Sequence, residues 1–190
     1  MRLLSLIGVL AILVGIAALV FFFGGFFNVS ARNEEPAPVK WALIKVRMAA
    51  VDRYATDNPP SGYDAQDKVQ AGAKAYSARG CTNCHGGPGV EWQKFSEGLR
   101  PDPPDLTKVV KEREPRHLFW VVKNGINMTG MPSFARVGAE DKEIWSIAAF
   151  VKKLPSVSES DYKSWIAPPA APAATGPAAP TPAPAPSKQQ

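Results

Sequence analysis

The chain has only two cysteines among its 190 residues, and they lie three positions apart with a histidine directly after the second. Cys81, Cys84 and His85 form the pattern C-x-x-C-H within the stretch RGCTNCHGG. This pattern is the attachment signature of a c-type haem. Two thiols bond to the two vinyl groups of one porphyrin, and the next residue can coordinate the iron through an imidazole nitrogen. A bound haem would supply the core that so small a domain otherwise lacks.

Three other chemistries compete for the same residues. A structural zinc site needs four nitrogen or sulfur ligands, but the chain has two cysteines and two histidines, and His117 lies far beyond His85. A thioredoxin-like C-x-x-C pair is expected beside a βαβ pattern, and no alternating strand pattern is visible. A disulfide is possible in an oxidising compartment, but it gives His85 no role. The sequence therefore favours the haem.

Met131 is predicted as the second axial ligand of the iron. Two of the four methionines lie in or beside the apolar N-terminal segment, so Met128 and Met131 remain. Gly130 permits a close backbone approach, and Pro132 favours an extended conformation at Met131. Met128, His117 and an open position stay as alternatives. His117 is expected at the surface or as a capping residue in the first turn of a helix.

The N-terminal segment predicts a membrane anchor. Residues 3–27 carry no charge, and about 20 apolar residues in a helix are enough to cross a bilayer. The apolar region of a signal peptide is shorter, about 7–15 residues. Residues 1–28 are therefore interpreted as an uncleaved transmembrane anchor, with a signal peptide cleaved near residues 29–31 as the alternative. More lysine and arginine residues follow the span than precede it, and the positive-inside rule would therefore put the C-terminal side in the cytoplasm. Large domains, however, translocate largely regardless of charge.

Residues 29–63 are predicted to be a juxtamembrane linker that contains a basic amphipathic helix. One helical stripe is apolar and consists of Trp41, Ile44, Met48, Val51 and Ala55. Such a stripe shows that one face is buried, without showing what covers it. The helix is expected to lie on lipid headgroups or a partner, or else to cover part of the folded domain.

Residues 64–157 are predicted to form a small all-α domain. The inner face of its first helix, which stops near Gly80, consists of Val69, Gly72, Ala73 and Tyr76. Asp64 and Asp67 suggest an N-terminal capping arrangement. Two further helices are expected, one from Pro115 to Gly125 and one over residues 139–154, with loops between. Residues 158–190, rich in proline and alanine, are expected to be a disordered tail.

These residues together resemble a class I cytochrome c over residues 64 to about 156. The C-x-x-C-H pattern, the later GMP, and a glycine and aromatic residues on the first and last helices carry the resemblance. It implies a helical fold around one covalent haem c, with His85 and Met131 as iron ligands. It also implies that Leu106 packs on the haem. The backbone carbonyl of Gly87 or Pro88 is expected to orient His85.

The resemblance implies an electron carrier rather than an enzyme. Ligation by histidine and methionine fills both axial positions, so no small-molecule substrate reaches the iron. Haem attachment in this family occurs outside the energised membrane, which implies a single-pass protein of the bacterial inner membrane with its haem domain in the periplasm. A peroxidase or a thiol oxidoreductase is the enzymatic alternative.

The implied partners are redox proteins. A quinol-oxidising complex or a dehydrogenase would be the electron donor, and a terminal oxidase or reductase the acceptor. The alternative is a fixed haem subunit of a larger membrane dehydrogenase or oxidase complex. The net charge of +5 comes without a dense basic stripe interleaved with aromatic residues, so nucleic acid is not an expected partner.

Overall fold

A computed structural model describes residues 2–168, and within them the chain forms helices and no β-strand. The predicted all-α fold is therefore confirmed. The α-helices are α1 (Arg2–Phe23), α2 (Ala37–Tyr54), α3 (Gln66–Ala78), α4 (Thr82–His85), α5 (Leu106–Val109), α6 (Pro115–Asn124), α7 (Asp141–Lys153) and α8 (Glu159–Ile166). Short 3-10 helices cover Lys94–Gly98, Ala135–Val137 and Leu154–Ser156.

Helix α1 is long and apolar enough to cross a membrane, by length and composition. It ends at Phe23, earlier than the anchor boundary predicted at residue 28. The chain turns at Gly25, which has a φ of 78°, a conformation that glycine adopts without steric cost.

Helices α3 and α7 cross in direct backbone contact at Gly72. A Cβ atom at this position would lie 1.9 Å from the carbonyl oxygen of Ser146, so only glycine allows the approach. The four residues predicted for the inner face of α3 are all buried. Tyr76 meets Phe150 of α7 edge to face, with ring centroids 5.2 Å apart. The expected crossing of the first and last helices of the domain is therefore present.

Helix α6 packs on the other side of α7. The rings of Phe119 and Trp145 are stacked, with centroids 4.0 Å apart and an interplanar angle of 10°. As predicted, α6 begins at Pro115, whose missing N–H is tolerated in a first turn, and it ends before Gly125, which has a φ of 69°.

The predicted amphipathic helix exists as α2, and its second half belongs to the folded domain. Val51 and Ala55 are each only 2% exposed, and Asp52 pairs with Arg113, near the start of α6, at 2.9 Å. His117 lies beneath this contact and is buried, so the surface or capping position predicted for it is wrong. The sequence pattern of α6 alone does not show that α2 covers this face.

The tail boundary predicted at residue 158 is also wrong, because α8 folds onto the domain. Tyr162 is fully buried and stacks on Phe150 at 5.5 Å. Its ring also lies against the backbone of Gly87, where an added Cβ would be 3.4 Å away. The proline-rich composition begins only after this helix. The rest of the predicted tail, residues 169–190, lies outside the described residues.

The capping arrangement predicted from Asp64 and Asp67 does not form. The N-cap of α3 is Ala65, with no side-chain cap bond. Because the helix begins at Gln66, Asp67 is already inside the first turn, where its carboxylate pairs with Lys68 at 3.1 Å.

Gly72→Ala is expected to lower the free energy of unfolding of the domain by about 3 kcal/mol, because the added methyl group meets backbone that cannot move aside. Gly98→Ala is the control, since a Cβ there meets nothing within 4 Å, and its effect should stay within about 0.5 kcal/mol. Urea unfolding of the detergent-solubilised protein, followed by circular dichroism, measures both. Equal midpoints for the two variants would contradict the close crossing.

Candidate functional site

The C-x-x-C-H stretch folds as one helical turn directly after α3. The chain reverses at Gly80, which has a φ of 74°, and Cys81 becomes the N-cap of α4. The carbonyl oxygen of Cys81 accepts hydrogen bonds from the N–H groups of Cys84 at 3.3 Å and His85 at 3.0 Å. Residues three and four positions apart share one face of a helical turn. The turn therefore presents both thiols and the imidazole on the same side.

The two cysteines lie in different surroundings. Cys81 is buried in the core and Cys84 is half-buried. Burial raises the pKa of the Cys81 thiol to about 12, so this thiol stays protonated at neutral pH. A redox-active C-x-x-C pair requires a thiol whose pKa is lowered. Cys81 therefore does not have the lowered pKa that the attacking thiol of such a pair needs.

His85 is oriented by a backbone carbonyl, as predicted, but not by either of the carbonyls that were expected. Its Nδ1 atom lies 3.1 Å from the carbonyl oxygen of Pro104. The assignment to Gly87 or Pro88 is therefore wrong. The Gly87 carbonyl is already engaged, because it accepts a hydrogen bond from the N–H of Val90 at 2.9 Å. The bond to Pro104 occupies Nδ1 and leaves Nε2 for a metal ion, a common arrangement for histidine ligands.

The protonation state of His85 also suits a ligand. Burial lowers the pKa of the imidazole, although the hydrogen bond to Pro104 acts in the opposite direction. A neutral imidazole is the form that coordinates metals.

The backbone after the turn is held by Tyr76 of α3. Its hydroxyl donates a buried hydrogen bond of 2.8 Å to the carbonyl oxygen of Gly86. Gly86 has a φ of 65° and carries the chain away from the turn. Helix α3 thus fixes both ends of residues 81–85, hereafter called the attachment turn.

Of the two candidate methionines, only Met131 packs against the core. Met131 is partly buried there, and its carbonyl oxygen accepts a hydrogen bond from the N–H of Ile126 at 3.1 Å. Met128 is 89% exposed. At Gly130 an added Cβ would lie 2.9 Å from the side chain of Leu99, which agrees with the close approach predicted for this glycine.

Leu106 lies at the start of α5 and packs on the same core. Its helix is capped by Asp105, whose carboxylate accepts a hydrogen bond from the N–H of Thr107 at 2.9 Å. The predicted haem-packing leucine is therefore in an apolar environment.

This donor set fits a c-type haem. It consists of two thiols and a neutral imidazole on one face of a turn, together with a thioether from a separate loop. Within residues 2–168, no three side chains of the types His, Cys, Asp or Glu come together as a metal-binding group. The described part of the chain therefore does not assemble the ligands of a structural zinc site.

One ion pair near the turn was not predicted. Arg79, two residues before Cys81, donates two hydrogen bonds of 2.8 Å to the carboxylate of Glu143 in α7. A third bond of 3.2 Å goes to the carbonyl oxygen of Val137. No local pattern marks this contact, because the partners are 64 positions apart. It connects the turn, α7 and the segment after Met131.

Residues 67–151 match the family model described as cytochrome c oxidase, cbb3-type, subunit III. This range contains the attachment turn, Pro104, Leu106 and Met131. Residues 67–151 are a c-type cytochrome domain. A cytochrome domain of this kind binds haem c and transfers electrons, and its all-helical fold agrees with class I.

The matched segment is less than half of the chain and excludes α1, α2 and α8. No curated protein and no solved structure matches the chain. The helices on either side of the cytochrome domain are therefore interpreted from their own residues alone.

Glu143→Gln is expected to destabilise the holoprotein at pH 7, because the bond to Arg79 lowers the pKa of the Glu143 carboxyl group. A carboxyl group whose pKa is lowered by folding stabilises the folded state at pH values above the ordinary glutamate pKa. This stabilisation is lost as the pH falls through the pKa of the group in the folded state. The difference between the wild type and Glu143→Gln should therefore shrink below about pH 4.5. Urea midpoints between pH 3 and pH 7 measure it.

Glu91→Gln, at an exposed position, is the matched control and should not change the midpoint. If the urea midpoints of the wild type and Glu143→Gln differ by the same amount at every pH, the ionised carboxylate does not stabilise the domain.

Proposed function

We propose that this chain is a membrane-anchored cytochrome that carries one covalent haem c and passes single electrons between redox proteins. The single observation that carries the proposal is the attachment turn, which presents Cys81, Cys84 and His85 on one face inside a c-type cytochrome domain. The proposed location is the periplasmic face of the bacterial inner membrane.

Each residue of the site has a definite role in this proposal. Cys81 and Cys84 would hold the haem through thioether bonds, and His85 would coordinate the iron through Nε2, with its ring fixed by Pro104. Met131 would supply a second iron ligand, and Leu106 would contribute an apolar wall. When bound, the haem supplies a one-electron couple between Fe(III) and Fe(II).

The ligand set favours electron transfer over haem enzymology. His85 and Met131 together leave no open coordination position, so peroxide or a gas does not reach the metal. The thioether ligand and the exclusion of water by apolar side chains both raise the reduction potential. Rapid electron transfer also requires little rearrangement, and the hydrogen bonds at Tyr76, Arg79 and His85 hold the turn in place.

Membrane attachment in this proposal depends on α1, an uncleaved single-pass anchor. A quinol-oxidising complex or a dehydrogenase is the proposed electron donor, and a terminal oxidase or reductase is the proposed acceptor. The anchor keeps the cytochrome domain within reach of such membrane complexes.

A second function is a fixed haem subunit of a membrane oxidase. The description of the matching family model, an oxidase subunit, favours it, and α1 and α2 would then contribute to subunit contacts. Native electrophoresis of detergent-solubilised membranes separates the two functions. We expect the haem-stained chain to migrate alone; co-migration with a larger complex would instead establish the subunit.

Met131→Ala is expected to remove the weak long-wavelength absorption band of methionine-ligated ferric haem and to lower the reduction potential, because a thioether ligand raises it. Met128→Ala is the control and should leave both unchanged, since Met128 points into solvent. Absorption spectroscopy and potentiometric titration of the holoprotein measure these quantities. Loss of the band in Met128→Ala but not in Met131→Ala would reverse the ligand assignment.

A further inference from the structure

The first half of α2 exposes large apolar side chains. Five of them are between 38% and 68% exposed, namely Val39, Trp41, Leu43, Ile44 and Val46. Near the end of the same helix Val51 is buried, as is Ala55 directly after it, whereas Tyr54 is 60% exposed. Residues 37–46 are therefore exposed, and only one face of α2 becomes buried, toward its C-terminal end.

The exposed residues include a second apolar stripe, which the sequence analysis did not identify. Val39, Leu43 and Val46 follow one another at spacings of four and three residues, so they share one face of the helix. This stripe lies opposite the one that ends in Val51 and Ala55 and packs on α6. One side of α2 thus contacts the cytochrome domain, and the other side has an apolar stripe directed away from it.

Cations flank the exposed stripe. The helix carries Lys40, Lys45, Arg47 and Arg53, and none of them forms an ion pair within residues 2–168. The only acidic residue of α2, Asp52, is already paired with Arg113. The charge left on the helix surface is therefore positive and suits an anionic surface.

The anchor sets how far α2 can lie from a bilayer. Residues 24–36 connect α1 to α2, and a fully extended segment of this length spans at most roughly 45 Å. Lysine and arginine beside an apolar stripe reach toward anionic headgroups. These features match the physics of an interfacial helix.

We propose that residues 39–46 of α2 lie in the headgroup region of an anionic lipid bilayer, the same membrane that α1 crosses. This inference rests on the membrane anchoring in the proposed function. Because the second half of α2 is docked on α6, the cytochrome domain is then held close to the membrane in a restricted orientation. It is not a free domain on a flexible tether.

Spin labelling of the full-length holoprotein tests the inference. A nitroxide is attached at Val46→Cys on the exposed stripe and, as control, at Lys94→Cys, where the lysine side chain is 89% exposed on the cytochrome domain. The proteins are reconstituted in vesicles of phosphatidylcholine and phosphatidylglycerol. Collision rates with oxygen and with a water-soluble nickel chelate are then measured by electron paramagnetic resonance.

The label at position 46 should collide with the nickel chelate roughly threefold less often than the control and more often with oxygen, as expected for interfacial burial. Nickel accessibility equal to that of the control would overturn the inference and leave the stripe for a protein partner. Leu43→Cys provides a second position if Val46→Cys does not fold.

Two further measurements separate the parts of the inference. Equal shielding in vesicles of phosphatidylcholine alone would overturn the role given to the four cations. Flotation with the vesicles tests the anchor itself. A folded protein that stays in the aqueous fraction would contradict the anchoring in the proposed function, whereas a floating protein with an exposed stripe contradicts only this inference.

Discussion

The contact between α3 and α7 at Gly72 is the constraint on which the position of the C-x-x-C-H turn depends. The attachment turn begins directly after α3, so the position of α3 on α7 also fixes the position of Cys81 and its neighbours. Two contacts transmit this constraint to the turn: the hydrogen bond from Tyr76 to the carbonyl oxygen of Gly86 and the ion pair between Arg79 and Glu143. The local sequence supplies the candidate ligands of the turn, while the helix crossing fixes where the turn lies.

Two helices outside the family match enlarge this domain. On one side α8 places Tyr162 between Phe150 and the loop after the turn, and on another side α2 covers α6. Both use apolar surface on the back of the helices that build the cytochrome domain. The added contacts stabilise the scaffold without contributing a ligand. They also give the chain surfaces outside the family match, one of which is the exposed stripe of α2.

The sequence predicts best where the chemistry is local. Spacing alone identifies the turn, the periodicity of α3 identifies its buried face, and Pro115 and Gly125 mark the ends of α6 correctly. Three of the failures depend on contacts between residues distant in the chain. Pro104, 19 positions beyond His85, accepts the bond expected of Gly87 or Pro88, and His117 is buried where α2 lies over α6. The short helix around Tyr162 is held by its packing on Phe150.

The covalent bond between the haem and the two cysteines is the central claim, and haem staining after denaturing electrophoresis tests it most directly. Protein expressed with a working haem-attachment apparatus should keep its stain at the mass of the chain after boiling in detergent, and the double variant Cys81→Ser/Cys84→Ser should lose it. A wild-type chain that is colourless, or that releases its haem on denaturation, would contradict the account.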